Sequence, residues 1–283
     1  MRVAMLLLAA SMASPAATTW YLTVSGLGGE PDYEQRFKIV ANDIGTVTKT
    51  QALVAPTRDA VRARFAELAR QVKPDDAFVL MLVGHGTFDG LDYKFNLPGP
   101  DMTAAEFATL LDRIPATRQL VANMTSASGG SIEYLKKPTR VVITATKSGT
   151  EKNATVFARY WAEALRDPAA DTDKNESVSA LEAFEYAKKK TTQFYESNKR
   201  LATEHALLED NKLAAVFPVL RIGTAAAAAA DPAKRALIDK KEQLEQQIDK
   251  LKYEKAAMPA AEYKQKLTAL LLELATTQEA IEK

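Results

Sequence analysis

The stretch Gln119–Ser131, QLVANMTSASGGS, carries the residue types best suited to chemistry. An apolar run, Leu120, Val121 and Ala122, turns at once into small hydroxyl and glycine residues, as a buried parallel strand does when it opens into a site loop at its carboxyl end. A second stretch, Phe78–Gly90 (FVLMLVGHGTFDG), ends its apolar run on His85 between Gly84 and Gly86. Side by side, the two loops offer a hydroxyl and an imidazole, the pairing in which a base takes the proton of a nucleophile. In that reading Ser126 attacks, His85 is the base, and the loop residues Gly86, Ser128 and Gly129 shape the site or lend amides to an oxyanion hole. In the alternative the loop is merely small and tightly turned, with Gly129 and Gly130 there for positive φ or close packing.

Composition removes several other chemistries. The 283 residues include no cysteine, which excludes disulfides, thiolate nucleophiles and sulfur metal sites. With only two histidines, His85 and His205, a catalytic zinc site lacks its usual ligands, so any metal is held by oxygen. One segment offers such oxygens: Asp171, Asp173, Asn175, Ser177, Ser179 and Glu182 follow the ligand order of a helix–loop–helix calcium hand. Glu176 stands where that loop normally needs glycine; the alternative is a solvated loop whose Ser179 caps the next helix. No cofactor is required by the pattern, and calcium is the one it suggests. Lys and Arg total 37 against 36 Asp and Glu, so nothing in the charge balance calls for nucleic acid or an anionic membrane.

The elements that must position these residues alternate along the chain. Trp20–Ser25 reads as a first strand opening into Gly26–Gly29, followed by a helix over Tyr33–Asn42. That glycine turn lacks dinucleotide spacing and puts Glu30 and Asp32 where an anion would sit. A short strand near Gln51–Ala55, a helix capped by Thr57 and running to Arg70, a strand over Phe78–Val83 and a helix over Ala104–Asp112 capped by Thr103 come next. Strands at Leu120–Asn123 and Thr139–Ala145 precede helices at Asn153–Arg166 and Ala180–Tyr195. This order implies an α/β fold, a mostly parallel sheet with helices on both faces, in which ligands bind at the carboxyl ends of the strands.

Arg2, the apolar run Val3–Ala10 and the small residues Ser11–Ala17 have the layout of a secretory leader over residues 1–17, which implies an exported protein. The run is too short to span a bilayer, and no other apolar stretch is long enough. The main domain is expected over 18–222 and a simple alanine-rich linker over 223–231. From 232 to 283, Leu237, Leu244, Ile248, Leu251 and Met258 recur at helical spacing, and beyond Pro259 so do Tyr263, Leu267, Leu270, Leu274 and Ile281. Two such helices around a proline predict an antiparallel hairpin or coiled-coil tail, with homo-oligomer formation through its apolar stripe.

Gly84-His85-Gly86 at one strand end and Ser126-Ala127-Ser128-Gly129 at the next resemble the paired motifs of the caspase and legumain-like cysteine peptidases, in particular their exported bacterial relatives. The similarity covers roughly Trp20 to Asp210. It implies the same α/β scaffold and a peptide or protein ligand. The strand of TRVVITATKSG is similar to one whose end walls the family's specificity pocket, a role the resemblance gives to Thr146 and Ser148. It also puts Glu34 where legumain-like enzymes use a basic group, and leaves Asp32 as the carboxylate able to orient a histidine. The nucleophile departs from the pattern: Ser126 replaces cysteine, and serine ionises far less readily than a thiol and needs a well-oriented base. Three readings stay open: a degenerate, non-catalytic peptide- or protein-binding module; an active serine hydrolase or peptidase; and a calcium-responsive structural or adaptor protein.

Overall fold

The computed structural model describes residues 17–283, so the expected leader lies, up to residue 16, outside the described residues. Two compact units divide the described chain, Thr18–Ala227 and the tail from Ala228 to Lys283. In chain order the elements of the first unit are β1 (Thr19–Ser25), α1 (Pro31–Thr48), β2 (Leu53–Val54), α2 (Arg58–Gln71), β3 (Ala77–Val83), β4 (Gly86–Phe88), β5 (Tyr93–Phe95), β6 (Met102–Thr103), α3 (Ala104–Leu111), β7 (Arg118–Asn123), α4 (Ile132–Leu135), β8 (Arg140–Thr144), α5 (Phe157–Ala164), β9 (Ser177–Ser179), α6 (Ala180–Ser197), β10 (Leu207–Glu209), α7 (Asn211–Ala215) and β11 (Pro218–Arg221). Helix α8 (Gly223–Ala230) crosses the unit boundary, and α9 (Pro232–Glu254) and α10 (Ala260–Glu282) complete the tail.

A six-stranded sheet in the order β10-β8-β7-β3-β1-β2 forms the centre. All its pairings are parallel except that of β10 with β8. Every residue of β3 is buried, as its uninterrupted apolar sequence requires, and alternate side chains serve opposite cores. Val79, Met81 and Val83 face a core shared with α1, α5 and α6, whereas Phe78, Leu80 and Leu82 face one shared with α2 and α3. The helices start where their caps predict: Thr57 accepts the Ala60 N–H at 3.3 Å and Thr103 the Glu106 N–H at 3.1 Å.

The amino ends of the strands are closed by polar clasps. Asp76 accepts from Thr18 N, the Trp20 indole and Lys73 N. Buried Arg140 donates to Gln119, Leu135 O and Asp112. The carboxyl ends are left for loops.

Several elements differ from the sequence reading for identifiable reasons. The expected helix at Asn153 begins only at Phe157, because the Val156 and Phe157 N–H groups donate to the Glu204 carboxylate at 2.8 and 3.2 Å and so mark its true amino end. Short antiparallel strands appear that carry little periodicity: β4-β5-β6 form one small sheet and β9-β11 another. The alanine run is not a simple linker but helix α8, consistent with the high helix propensity of alanine. Its first turn is anchored by Glu176, whose carboxylate accepts from Ala225 N at 2.9 Å and from the Thr224 hydroxyl.

Within the tail, α9 and α10 run antiparallel: Lys240 pairs with Glu273 at 2.7 Å and Lys234 Nζ donates to Ile281 O at 2.7 Å. Ile238, Leu244, Ile248 and Leu251 are buried in α9, while Leu271 and Leu272 of α10 remain exposed. Among the described residues no helix is long and apolar enough to cross a membrane.

Candidate functional site

Strands β3 and β7 pair in parallel with Leu82 opposite Asn123, which brings the loops after both carboxyl ends together. Their contact is made by Ser126. Its hydroxyl accepts the Gly86 N–H at 3.0 Å and donates to the Gly86 carbonyl at 3.0 Å. The side chain is 1% exposed. Among the described residues no hydrogen bond joins Ser126 to the imidazole of His85. The serine has a single proton, and here a backbone carbonyl accepts it.

His85 is held differently. Its ring packs edge-on against Tyr33 and Phe37 of α1, at centroid distances of 4.9 and 5.0 Å. Those two aromatics stand four residues apart on one helix face, which presents both to the same strand end. Burial pushes the imidazole below its ordinary value, with the Glu30 charge opposing the shift. Asp32, the carboxylate the resemblance suggested as an orienter, instead pairs with Arg36 at 2.7 Å on exposed surface of α1. Glu34 is also exposed, and its amide continues the first helical turn to Glu30 O at 3.0 Å.

Two of the amides that an oxyanion hole could draw on, those of Gly86 and Gly129, are engaged elsewhere. Gly86 N–H goes to Ser126, and Gly129 N–H donates to Thr146 Oγ1 at 2.9 Å. Thr146 is fully buried and its own amide donates to Ser128 Oγ at 3.1 Å, so it joins the end of β8 to the serine loop rather than lining open space. Ser148 Oγ lies 2.7 Å from Thr150 Oγ1, and the Ser148 carbonyl accepts from Thr146 Oγ1 at 3.0 Å. The glycines serve close approach. A Cβ on Gly86 would lie 2.5 Å from the Tyr93 ring, and one on Gly129 would lie 2.2 Å from Ser148 N. Within the serine loop Ala127 takes a positive φ, 54°, and is fully buried and fixed by donation of its amide to Glu151 O at 2.7 Å.

Below the loop a polar relay runs from the small sheet into the main one. Tyr93 Oη meets Thr125 Oγ1 at 2.6 Å, Thr125 donates to Asn123 Oδ1 at 2.9 Å, Asn123 Nδ2 donates to Ser131 Oγ at 3.0 Å, and Ser131 donates to Ser128 O at 2.6 Å. All are buried, and such a satisfied network rigidifies what it joins. Sequence reasoning missed Glu204 and Glu151. Glu204 caps α5, and Glu151 accepts the His205 amide at 3.1 Å with the His205 ring beside it. His205 is thus part of a structural clasp. In the sequence Glu204 is a lone carboxylate after α6 and far from either motif, which is no signal of a cap.

In the second candidate site, Asp171, Asp173 and Glu182 bring ligand oxygens within 4.8 Å of one another. Asp171 accepts the Asn175 and Glu176 amides at 3.2 and 3.1 Å, and the Asn175 side chain accepts the Ser177 amide at 2.8 Å. Ser179 and Glu182 form a reciprocal capping box at the start of α6. The buried Ser177 hydroxyl has no hydrogen-bond partner among the described residues. Burial, then the neighbouring Glu182 and Asp171 carboxylates, push Asp173 above the usual carboxylate value. Glu176 adopts φ 66°, the conformation glycine normally supplies, and its side chain leaves the loop to cap α8.

No family model matches the chain, and no curated protein sequence does. Among solved structures, the Geobacter sulfurreducens protein GSU0716 is similar over 73% of this chain and 100% of its own, at 12% identity and a TM-score of 0.50. Chaetomium thermophilum Raptor is similar over 56% of this chain and 19% of its own, at 10% identity and a TM-score of 0.39. The first likeness concerns the fold alone, and the second is too slight to carry an argument.

Two outcomes follow from this geometry. Ser126→Ala strands a buried backbone N–H and should lower the unfolding free energy in urea by about 1–3 kcal/mol; a change within about 0.5 kcal/mol, the usual surface range, would remove Ser126 as a structural tie. In an NMR titration His85 should titrate below 6.5. A depressed folded value means its contribution to stability is present above the unfolded value and lost as pH falls through the folded one. A midpoint above 6.5 would contradict the apolar cradle.

Proposed function

We propose that the chain is a degenerate relative of the caspase and legumain-like peptidases that retains the scaffold and binds a peptide or protein without cleaving it. The observation that carries this reading is the reciprocal bonding of the buried Ser126 hydroxyl to Gly86, with His85 packed separately between two aromatic rings. Attack by Ser126 would require breaking both bonds, exposing the oxygen and turning its proton toward the imidazole. A serine without an oriented base is a poor nucleophile. The serine-hydrolase alternative would need that rearrangement on substrate binding. On this reading the mature chain works outside the cytoplasm, given the leader-like layout of residues 1–17. Copies would associate through the tail, where Leu271 and Leu272 are exposed.

A second reading is compatible with the first: the Asp171–Glu182 loop takes calcium. The convergence of three carboxylates and the unpartnered Ser177 hydroxyl favour it, since a hard cation needs several oxygens and would relieve the crowding at Asp173.

A fluorophosphonate probe tests the first reading on the purified chain, with Ser126→Ala and His85→Ala beside it. No labelling is expected. Labelling that both substitutions abolish would establish an active serine and overturn the proposal. Calcium is tested by melting: a site of submillimolar to millimolar affinity should add about 1–2 kcal/mol in 5 mM calcium, raising Tm by roughly 2–6 °C. Asp173→Asn should abolish that rise, and a melting curve indifferent to calcium would sink the metal reading.

A further inference from the structure

Helix α10 carries apolar residues on two faces. Its inner face holds Thr277 and Ile281, both buried, with Tyr263, Leu267, Leu270 and Leu274 half-buried beside them, and this is the stripe that packs on α9. At 3.6 residues per turn the opposite face runs Lys264, Thr268, Leu271, Leu272, Ala275 and Glu279, and every one of these is exposed. Leu271 is 48% and Leu272 69% exposed, and nowhere else among the described residues do two large exposed apolar side chains adjoin in sequence. Single exposed apolar residues are ordinary on a protein surface, whereas a contiguous patch marks an interaction site.

The order of residue types along this outer face says what covers it. About the midpoint between Leu271 and Leu272 the face is matched in size and opposite in charge. Thr268 and Ala275, both small, stand equally far from the midpoint on either side, and so do Lys264 and Glu279, a cation and an anion. A second copy of the helix laid antiparallel, with a two-fold axis through the midpoint, sets each Leu271 against the other copy's Leu272. It also lets the backbones come close where Thr268 meets Ala275, and it places Lys264 opposite Glu279 twice, once on each side of the axis. Parallel pairing would set Lys264 against Lys264 and Glu279 against Glu279, so the charges select the antiparallel arrangement. Glu279 now pairs with Lys283, one helical turn on, at 2.7 Å and on open surface, a contact of little strength that is readily exchanged.

We infer that α10 pairs antiparallel with the α10 of a second copy of this chain, across a two-fold axis between Leu271 and Leu272. The inference rests on the reading that copies associate through the tail, and it deepens that reading by fixing the face, the direction and the register. An isologous contact closes at two copies, so the product is a dimer rather than a filament.

Because the chain has no cysteine, the register can be read by cross-linking. Purified full-length Thr268→Cys and Ala275→Cys chains are mixed and oxidised. A disulfide between the two different chains should dominate, with either variant alone cross-linking about tenfold less, since only this register brings position 268 within disulfide reach of position 275. Sedimentation equilibrium of the unaltered chain over about 1 µM to 1 mM should show a monomer–dimer equilibrium. Leu271→Lys should leave a monomer with an unchanged circular dichroism spectrum, because that side chain is exposed. Lys264→Glu and Glu279→Lys should each weaken the dimer about tenfold, two like-charge contacts arising at once, and the double exchange should restore it. A dimer indifferent to Leu271→Lys and to the charge exchange, or a cross-link that forms best within Thr268→Cys alone, would overturn the inference and leave association through another face of the tail standing. A chain still monomeric at about 1 mM would overturn both. A monomer that sediments with phosphatidylglycerol vesicles, and loses that binding in Leu271→Lys, would overturn the inference and assign the face to a lipid surface.

Discussion

Two reciprocal hydrogen bonds, from Gly86 N–H to Ser126 Oγ and from Ser126 Oγ to Gly86 O, hold the ends of β3 and β7 together, and the geometry of the site loops depends on them. A parallel strand buried on both faces must surrender its ladder at the carboxyl end, where its backbone groups need new partners. Here a side chain supplies both bonds to one residue. That arrangement requires a very close approach, which is why Gly86 has no tolerance for a Cβ and why the Tyr93 ring closes over it.

The rest of the loop is built to keep that tie in place. Ala127, the next residue, is forced to a positive φ and anchored by Glu151 O, and the relay from Tyr93 to Ser128 O fills the space beneath with satisfied polar groups. Thr146 closes the other side. Glu151 and Glu204 then join this loop region to the start of α5, so that helix and the serine loop share supports. The proposed non-catalytic reading draws on this closed polar loop, because catalysis needs amides and a hydroxyl that are free to meet a reacting group.

Much of the scaffold was legible in the residues because its physics is local or periodic. The continuous apolar run of β3 declared a strand buried on both faces, and Thr57 and Thr103 declared helix starts; both turned out so. The β4-β5-β6 sheet was not legible, because its strands are two or three residues long and too short to show alternation. The alanine run has no apolar stripe to declare a helix, and its helix depends on propensity and on a carboxylate from Glu176, far away in sequence. At the site, residue types located His85 and Ser126 at neighbouring strand ends. Which atom receives the serine proton is decided by tertiary geometry, and no spacing encodes it. Asp32 shows the same limit: an acidic residue near a strand end could orient a histidine or pair with an arginine one helical turn away, and the helix that begins at Pro31 selects the arginine.

The coupling of position 126 to Gly86 rather than to His85 is tested most directly by Ser126→Cys, measuring the rate of alkylation by iodoacetamide against pH with and without His85→Ala. A thiol bonded to backbone and buried should titrate near or above its free value of about 8.5, and the histidine substitution should not move it. A thiolate that forms below about pH 7 and loses that property in His85→Ala would show a working pair, and would contradict the account.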